Sequence, residues 1–348
     1  MFGFGSINGT LCLYDDSYFG QTVLWNPATQ ALKSLPYSDV IDSIESDENI
    51  DEDFVSLTFD TNLHGFGYDD LTNDYKVIRY VIITGEHAGY GCISIEELGY
   101  VPLFPFWEIY SLRSNSWKRL DVDMPPTSLY REGTQVYMDG VCHWLSEEDC
   151  VAGPCLVSFY LNNEVFITTS IPGDEDDDNF VFKASWINLV VVNGSIALIS
   201  YHKDMTFHIS ILGEFGTEES WTKLLIVGPL LCVKHPIGAG AQGEIFFVRE
   251  DGELVWFDLR KTFPQMTVEL GYKGVGDTSQ IIVYKENILP LGGIRTLSFY
   301  CSSLMLDSST FGGLLAARRP PGFFYTSDDR TKEHGEEMAE LGHGSSGE

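Results

Sequence analysis

The chain has 348 residues, 44% of them hydrophobic and 21% charged, so it carries enough apolar material for a sizeable core and is not compositionally disordered. Its 21 basic residues against 51 acidic ones leave a net charge of −30 at pH 7. A field of that sign repels nucleic acid and anionic membrane surfaces, which are bound through Lys and Arg, and leaves a basic partner surface or simple solubility as its use.

At the N-terminus, Met1 to Ser6 has neither the basic stretch nor the apolar run of a secretory leader. The longest apolar stretches, 187–200 and 224–233, are cut by Asn193-Gly194 and Gly228-Pro229 and fall short of the ~20 residues of a membrane span. Seven scattered cysteines (Cys12, Cys92, Cys142, Cys150, Cys155, Cys232, Cys301) include no Cys-x-x-Cys, so neither a disulfide framework nor a zinc knuckle is indicated. These features give a reduced, intracellular protein of the cytoplasm or nucleus. In that setting the sequons at Asn8 and Asn193 read as Asn-Gly hairpin turns.

The first predicted hairpin turns at Asn8-Gly9, and a second runs from Val23 through Trp25-Asn26-Pro27-Ala28-Thr29 to Pro36. Residues 37–62 break the pattern with eight carboxylates between Asp39 and Asp53 and are expected to form an insertion between strands. The hairpin from Gly65 to Val81 follows, then a Gly/aromatic loop over 84–106 that ends Phe104-Pro105-Phe106. Hairpins at Ile109 to Pro125, Asp139-Gly140 and Val157 to Pro172 come next, then the acidic run Asp174 to Asp178. Asn193-Gly194, His208 to Pro229, Gln242-Gly243 and Val255 to Leu270 complete the series. Two hairpins in about 50 residues give four strands per repeat, the signature of a propeller blade. The expected fold is all-β: a β-propeller of about five to six four-stranded blades over residues 1–291, with 292–348 a disordered tail. No sustained helical period appears before residue 291. A pair of irregular β-sandwiches is the alternative.

Chemistry-bearing motifs fail on context. Gly238-Ala239-Gly240-Ala241-Gln242-Gly243 fits a dinucleotide-binding glycine pattern, but a strand follows it where a helix is needed to meet the pyrophosphate. The run Asp174-Glu175-Asp176-Asp177-Asp178-Asn179 lacks the spacing, glycine and terminal glutamate of a calcium loop. Cys142 and His143 are neighbours in a predicted strand, so they face opposite ways and do not make a nucleophile with its base. No catalytic, cofactor-binding or metal-ligating residue is therefore assigned. Trp25, Trp117 and Trp221 occupy related places in repeats and read as core. The surface candidates for a protein partner are Phe104, Phe106 and Trp107 in the aromatic insertion, with the acidic residues Asp47, Glu48, Asp51, Glu52, Asp53, Asp176 and Asp177.

Taken together, Trp25-Asn26-Pro27-Ala28-Thr29, Gly65-Phe66-Gly67-Tyr68-Asp69 with Asp74-Tyr75-Lys76-Val77, Glu108-Ile109-Tyr110-Ser111-Leu112 with Ser116-Trp117-Lys118, Gly140-Val141-Cys142-His143-Trp144-Leu145, Ser220-Trp221-Thr222-Lys223-Leu224 and Val283-Tyr284-Lys285-Glu286-Asn287 fall in order along the chain. This series resembles the plant F-box-associated domain, and within it the S-locus F-box-like and F-box/kelch-repeat-like proteins. The resemblance implies a kelch-like, non-catalytic domain that captures target proteins for an SCF-type ubiquitin ligase. Family members carry an N-terminal F-box that docks a Skp1-type adaptor, and nothing in Met1 to Leu13 forms one, so adaptor binding is expected only if an F-box lies upstream. The alternatives are an F-box-less scaffold or competitor outside that pathway, and a propeller hydrolase or oxidoreductase.

Overall fold

The computed structural model describes residues 2–14, 21–46, 54–87, 91–94, 104–125, 135–146, 155–171, 187–202, 205–217, 220–230, 232–240, 243–259, 268–273, 281–289, 291 and 314–315. Four-stranded antiparallel sheets follow one another in simple order. The first blade is β1 (Phe2–Ile7), β2 (Thr10–Tyr14), β3 (Thr22–Asn26) and β4 (Ala31–Ser34). A short helix, α1 (Asp39–Glu45), leads into the second blade: β5 (Phe54–Asp69), β6 (Asp74–His87), β8 (Phe106–Ser111) and β9 (Ser116–Leu120), with β7 (Gly91–Ser94) added on β6. The third is β10 (Val136–Met138), β11 (Val141–Ser146), β12 (Cys155–Tyr160) and β13 (Val165–Ser170). The fourth is β14 (Ile187–Val192), β15 (Ser195–Tyr201), β16 (Phe207–Leu212) and β17 (Trp221–Val227). The fifth is β18 (Val233–Ala239), β19 (Glu244–Arg249), β20 (Glu253–Asp258) and β21 (Val268–Lys273).

The first strand of each blade meets its neighbours: β1 touches β5, β5 touches β10, β10 touches β14 and β14 touches β18. The sixth place holds β22 (Ile282–Val283), paired with β23 (Leu314–Leu315) and lying between β18 and β1. The molecule is thus a β-propeller of five four-stranded blades whose ring is completed by a two-stranded piece. β23 lies in the stretch expected to be a disordered tail; the rest of that stretch is outside the described residues.

Burial follows from this arrangement. Middle strands are sandwiched between neighbouring blades on both faces, so they are apolar throughout: β11, Val-Cys-His-Trp-Leu-Ser, is buried at every position. Outermost strands reach the rim and are mostly exposed, as in β13 and β17. Core clusters lie between blades. Phe4, Leu24, Val77 and Tyr110 fill the space between the first and second; Ile78, Trp107, Trp144 and Phe159 that between the second and third. Leu156, Leu189 and Leu198 do so between the third and fourth, and Ile199, Phe207, Phe247 and Val255 between the fourth and fifth.

The tight turns behave as their residues predict. Asn8-Gly9, Asp139-Gly140 and Asn193-Gly194 all have positive φ at both positions, the primed turn that suits a twisted hairpin. The family-like motifs prove to be joints between blades. At Gly67 a Cβ would lie 2.3 Å from Leu161 Cδ1 of the third blade, and at Gly65 one would lie 2.8 Å from Cys142 Cβ. Both glycines permit the inner strand β5 to approach the third blade closely. Lys76 Nζ donates to Asp69 Oδ2 at 2.9 Å and to the Leu161 carbonyl at 2.7 Å, and the Tyr137 hydroxyl donates to the Tyr68 carbonyl. Asn26 closes the ring: its Nδ2 donates to the carbonyls of Asn287 and Leu289, while its Oδ1 accepts from the amides of Ala28 and Thr29.

Trp117 and Trp221 do occupy equivalent places on fourth strands. Trp117 Nε1 donates to the Pro36 carbonyl at 2.9 Å, and Trp221 Nε1 to the Ser170 carbonyl at 3.0 Å, each at the end of the preceding blade. Trp25 lies instead on a third strand, β3, so it does not share this role. Trp117→Phe and Trp221→Phe each leave one carbonyl without its donor and lose part of the indole's contacts, an expected cost of about 1–3 kcal/mol in thermal or urea unfolding.

Candidate partner-binding face

Because strands alternate in direction, the turns at Asn8-Gly9, 27–30, 70–73, 112–115, Asp139-Gly140, 161–164 and Asn193-Gly194 lie at one end of the ring, and the connections between the first three blades lie at the other. The strand ends on either side of 35–53, 121–135, 147–154 and 172–186 face this second end. This is the end on which a rigid scaffold presents variable loops.

The second blade rises above its neighbours there. β6 pairs with β8 only over Lys76–Val81, and its last six residues continue beyond that, a rise of about 20 Å, where β5 and β7 flank them. Helix α1 packs against this ribbon. Ile41 is buried with Val81, Ile83 and Phe106, and Val40, Ile44, Leu57 and Phe59 fill in around them. Ser38 caps the helix, accepting from the Ile41 amide, and donates its own proton to Glu108 Oε2 at 2.6 Å. Glu108 in turn pairs with Arg79, at 2.6 Å and fully buried, and the Arg79 guanidinium lies 3.8 Å above the Trp117 ring. The acidic segment between the first and second blades is therefore tied down at its start by a buried network.

Outward from that anchor the surface is acidic. Asp39, Asp42 and Glu45 are exposed on α1, with Ser43 between them and Ser46 just after. The Tyr37 phenol, on an exposed side chain, donates to Glu45 Oε1, and partial burial together with that carboxylate pushes its pKa up to about 12. Tyr37 and the helix were not anticipated from the sequence. The signal, Ser38 three residues before Ile41, was present, but seven residues are too few for a helical period to register.

Of the predicted surface residues, Phe104 is 37% exposed at the corner where the ribbon meets β8. Phe106 and Trp107 are corrections. Phe106 is 4% exposed, under α1, with Arg119 held over its ring; Trp107 is 3% exposed, donates to the Met124 carbonyl and packs on His64, Tyr80 and Trp144. They begin a strand that starts inside the stretch read as a loop, and so turn inward. Asp47, Glu48, Asp51, Glu52, Asp53, Asp176 and Asp177 lie outside the described residues.

Cys142 and His143 do not face each other. Cys142 is buried against Gly65 on one side of β11, and His143 on the other, hydrogen-bonded to Ser158 Oγ and stacked on Phe215. Burial drives the Cys142 thiol well up and holds His143 down to about 3. Among the described residues no group of three His, Cys, Asp or Glu side chains is placed to hold a metal. The glycine pattern at 238–243 spans the turn from β18 to β19, with Gly240 N donating to the Glu244 carbonyl. Cys155 is disulfide-bonded, a departure from the expectation of no bridge.

The sequence matches the F-box associated beta propeller domain over residues 6–305. Among curated proteins of Arabidopsis thaliana it is 26% identical over 274 residues to F-box protein CPR1, covering 74% of this chain and 60% of that protein. It is 25% identical to F-box protein At4g22390, covering 74% and 61%, and 24% identical to F-box/kelch-repeat protein At3g23880, covering 67% and 54%. The chain thus spans a little over half the length of these relatives.

Proposed function

The chain belongs to the F-box-associated β-propeller family, and from that membership we propose that it is the target-recognition module of an F-box protein of an SCF-type ubiquitin ligase. The names of the family and of these relatives are those of interaction modules rather than enzymes. In this reading an F-box of the whole protein docks a Skp1-type adaptor, and the propeller, residues 1–291, holds a target with a basic surface. The cytoplasm or nucleus is its place of work. Among the described residues no helix is long and apolar enough to cross a membrane.

The observation that carries this reading is the one-sidedness of the molecule. The second-blade ribbon, its helix and their exposed carboxylates stand on the loop end, where charge steers association and rejects partners of the wrong sign. The test compares two charge reversals in capture from plant extract. Asp42→Lys with Glu45→Lys, on the loop end, is expected to abolish retention of the salt-sensitive proteins that the native chain holds. Asp70→Lys, on the tight-turn end, is expected to leave them bound. The opposite outcome would place the partner on the wrong end of the ring for this proposal.

A further inference from the structure

Each of the five blades is built from one continuous stretch of chain, so no blade weaves the first strands together with the last. The ring is bridged by residues 281–291, which run from the fifth blade, past β1, to the space between the first and second blades. The two ends of this segment are sunk in the core. Ile281 is buried among Ile237, Phe246, Val248 and Leu254 of the fifth blade, and Leu291 with Phe4, Tyr75 and Val77 of the first and second.

Features that stand apart in the sequence meet here. The glycine pattern at 238–243 begins with Gly238, at φ +147°, where a Cβ would lie 2.9 Å from the Ile281 carbonyl oxygen; the Ile281 amide donates to the Ile237 carbonyl. Gly9, at φ +78°, is where a Cβ would lie 2.6 Å from the Asn287 carbonyl oxygen. Both approaches are to backbone, at positions that only a residue without a side chain fills easily. Ser6 Oγ donates to the Lys285 carbonyl at 3.2 Å, and Asn26 Nδ2 to the carbonyls of Asn287 and Leu289 at 2.9 and 3.3 Å. Asn287 Oδ1 accepts from the Leu289 amide, which fixes the turn that Asn26 grips.

Between its anchors the segment lies near the surface. Lys285 and Glu286 are exposed, Ile288 is 76% exposed and Leu289 50%. Two buried side chains and a few hydrogen bonds hold it, whereas the joints between blades are clusters of apolar side chains packed sheet on sheet. Elements that bury little apolar surface open first, and the mutual repulsion of a chain with net charge −30 favours opening.

We propose that residues 281–291 form a strap that comes away as a unit while the five blades stay folded, and that this opening is how the ring is first breached. Asn26 is its clasp. The inference concerns the scaffold and does not depend on which end of the ring holds the target.

The test is cleavage of the full chain by a lysine-specific protease in urea below the unfolding transition, with initial rates after Lys285 and after Lys76 read by mass spectrometry and normalised to a free peptide. Lys76 lies buried in the joint between the second and third blades, so cutting there requires a blade to unfold. Cleavage after Lys285 is expected to be faster and nearly independent of urea, because opening the strap exposes little surface, while cleavage after Lys76 rises steeply with urea. Asn26→Asp keeps the oxygens that accept from the Ala28 and Thr29 amides and removes the donors to the strap. It is expected to speed cleavage after Lys285 at least about tenfold and to change cleavage after Lys76 less. Equal rates and equal urea slopes at the two lysines in the native chain overturn the strap as a separate unit, whether or not the variant folds. An unchanged rate after Lys285 in Asn26→Asp overturns Asn26 as the clasp.

Discussion

Glu108→Ala is expected to lower stability by about 3–5 kcal/mol, with a fall in melting temperature on the order of 10 °C, although it removes only one surface-distant carboxylate. The reason is the charge it abandons. The Glu108 side chain is fully buried, and Arg79 beside it is 9% exposed, so truncation leaves a guanidinium in the core with no counter-charge. Desolvation already lowers the Arg79 pKa, and the Glu108 carboxylate is what opposes that shift. Ser38 loses its acceptor at the same time, which loosens the start of α1 and with it the acidic face. Replacing both partners, Arg79→Met with Glu108→Leu, removes the stranded charge and is expected to recover most of the loss. Urea unfolding of the three proteins decides the matter. If the double variant is as unstable as the single one, the cost lies in the Ser38 and Trp117 contacts and not in an unpaired charge.

The same network shows how far the sequence could be read. A propeller of about five to six four-stranded blades was legible because each repeat carries its own local chemistry: Asn-Gly turns that need positive φ, and apolar strands of even spacing. Motifs such as Gly65-Phe66-Gly67-Tyr68-Asp69 were visible as motifs, yet their purpose was not. What Gly67 makes room for, Leu161 and Tyr137, belongs to the next blade and is far away in sequence. The misreading of Phe106 and Trp107 has the same origin. Phe104-Pro105-Phe106-Trp107 looks like an exposed aromatic loop, because Pro105 ends any strand before it. Whether the rings that follow turn in or out depends on Ile41 of one connection and on Trp144 of another blade. No local pattern reports that. The face itself was half legible: its charge could be counted, while the ribbon that raises it could not be distinguished from an insertion.

Acidification from pH 7 to pH 5 is expected to remove about 4 kcal/mol of stability, and two buried histidines are responsible. His64 is enclosed by Trp107, Trp144 and Tyr80, with ring centroids at 4.5, 5.6 and 6.4 Å. Burial pushes its pKa down to about 4, even though Nδ1 is hydrogen-bonded to the Asn62 carbonyl. His143 is held down to about 3 by burial alone. In the unfolded chain both titrate near 6.5, so below that value the unfolded state binds protons that the folded state refuses. Stability is therefore complete above about pH 6.5 and falls as pH drops toward the folded values, by about 2 kcal/mol per histidine at pH 5. Against a usual total of about 5–15 kcal/mol this is a large fraction. Protonation of the many carboxylates acts the other way, since it relieves the repulsion of a chain with net charge −30. The measurement must therefore be a comparison. Melting temperatures of the native chain and of the His64→Gln, His143→Gln double variant are followed between pH 7 and 5, and the carboxylate contribution is common to both. The native curve is expected to fall more steeply. Whatever the double variant loses at pH 7, only its slope is at issue, and a slope equal to the native one would show that these two rings do not govern the acid response.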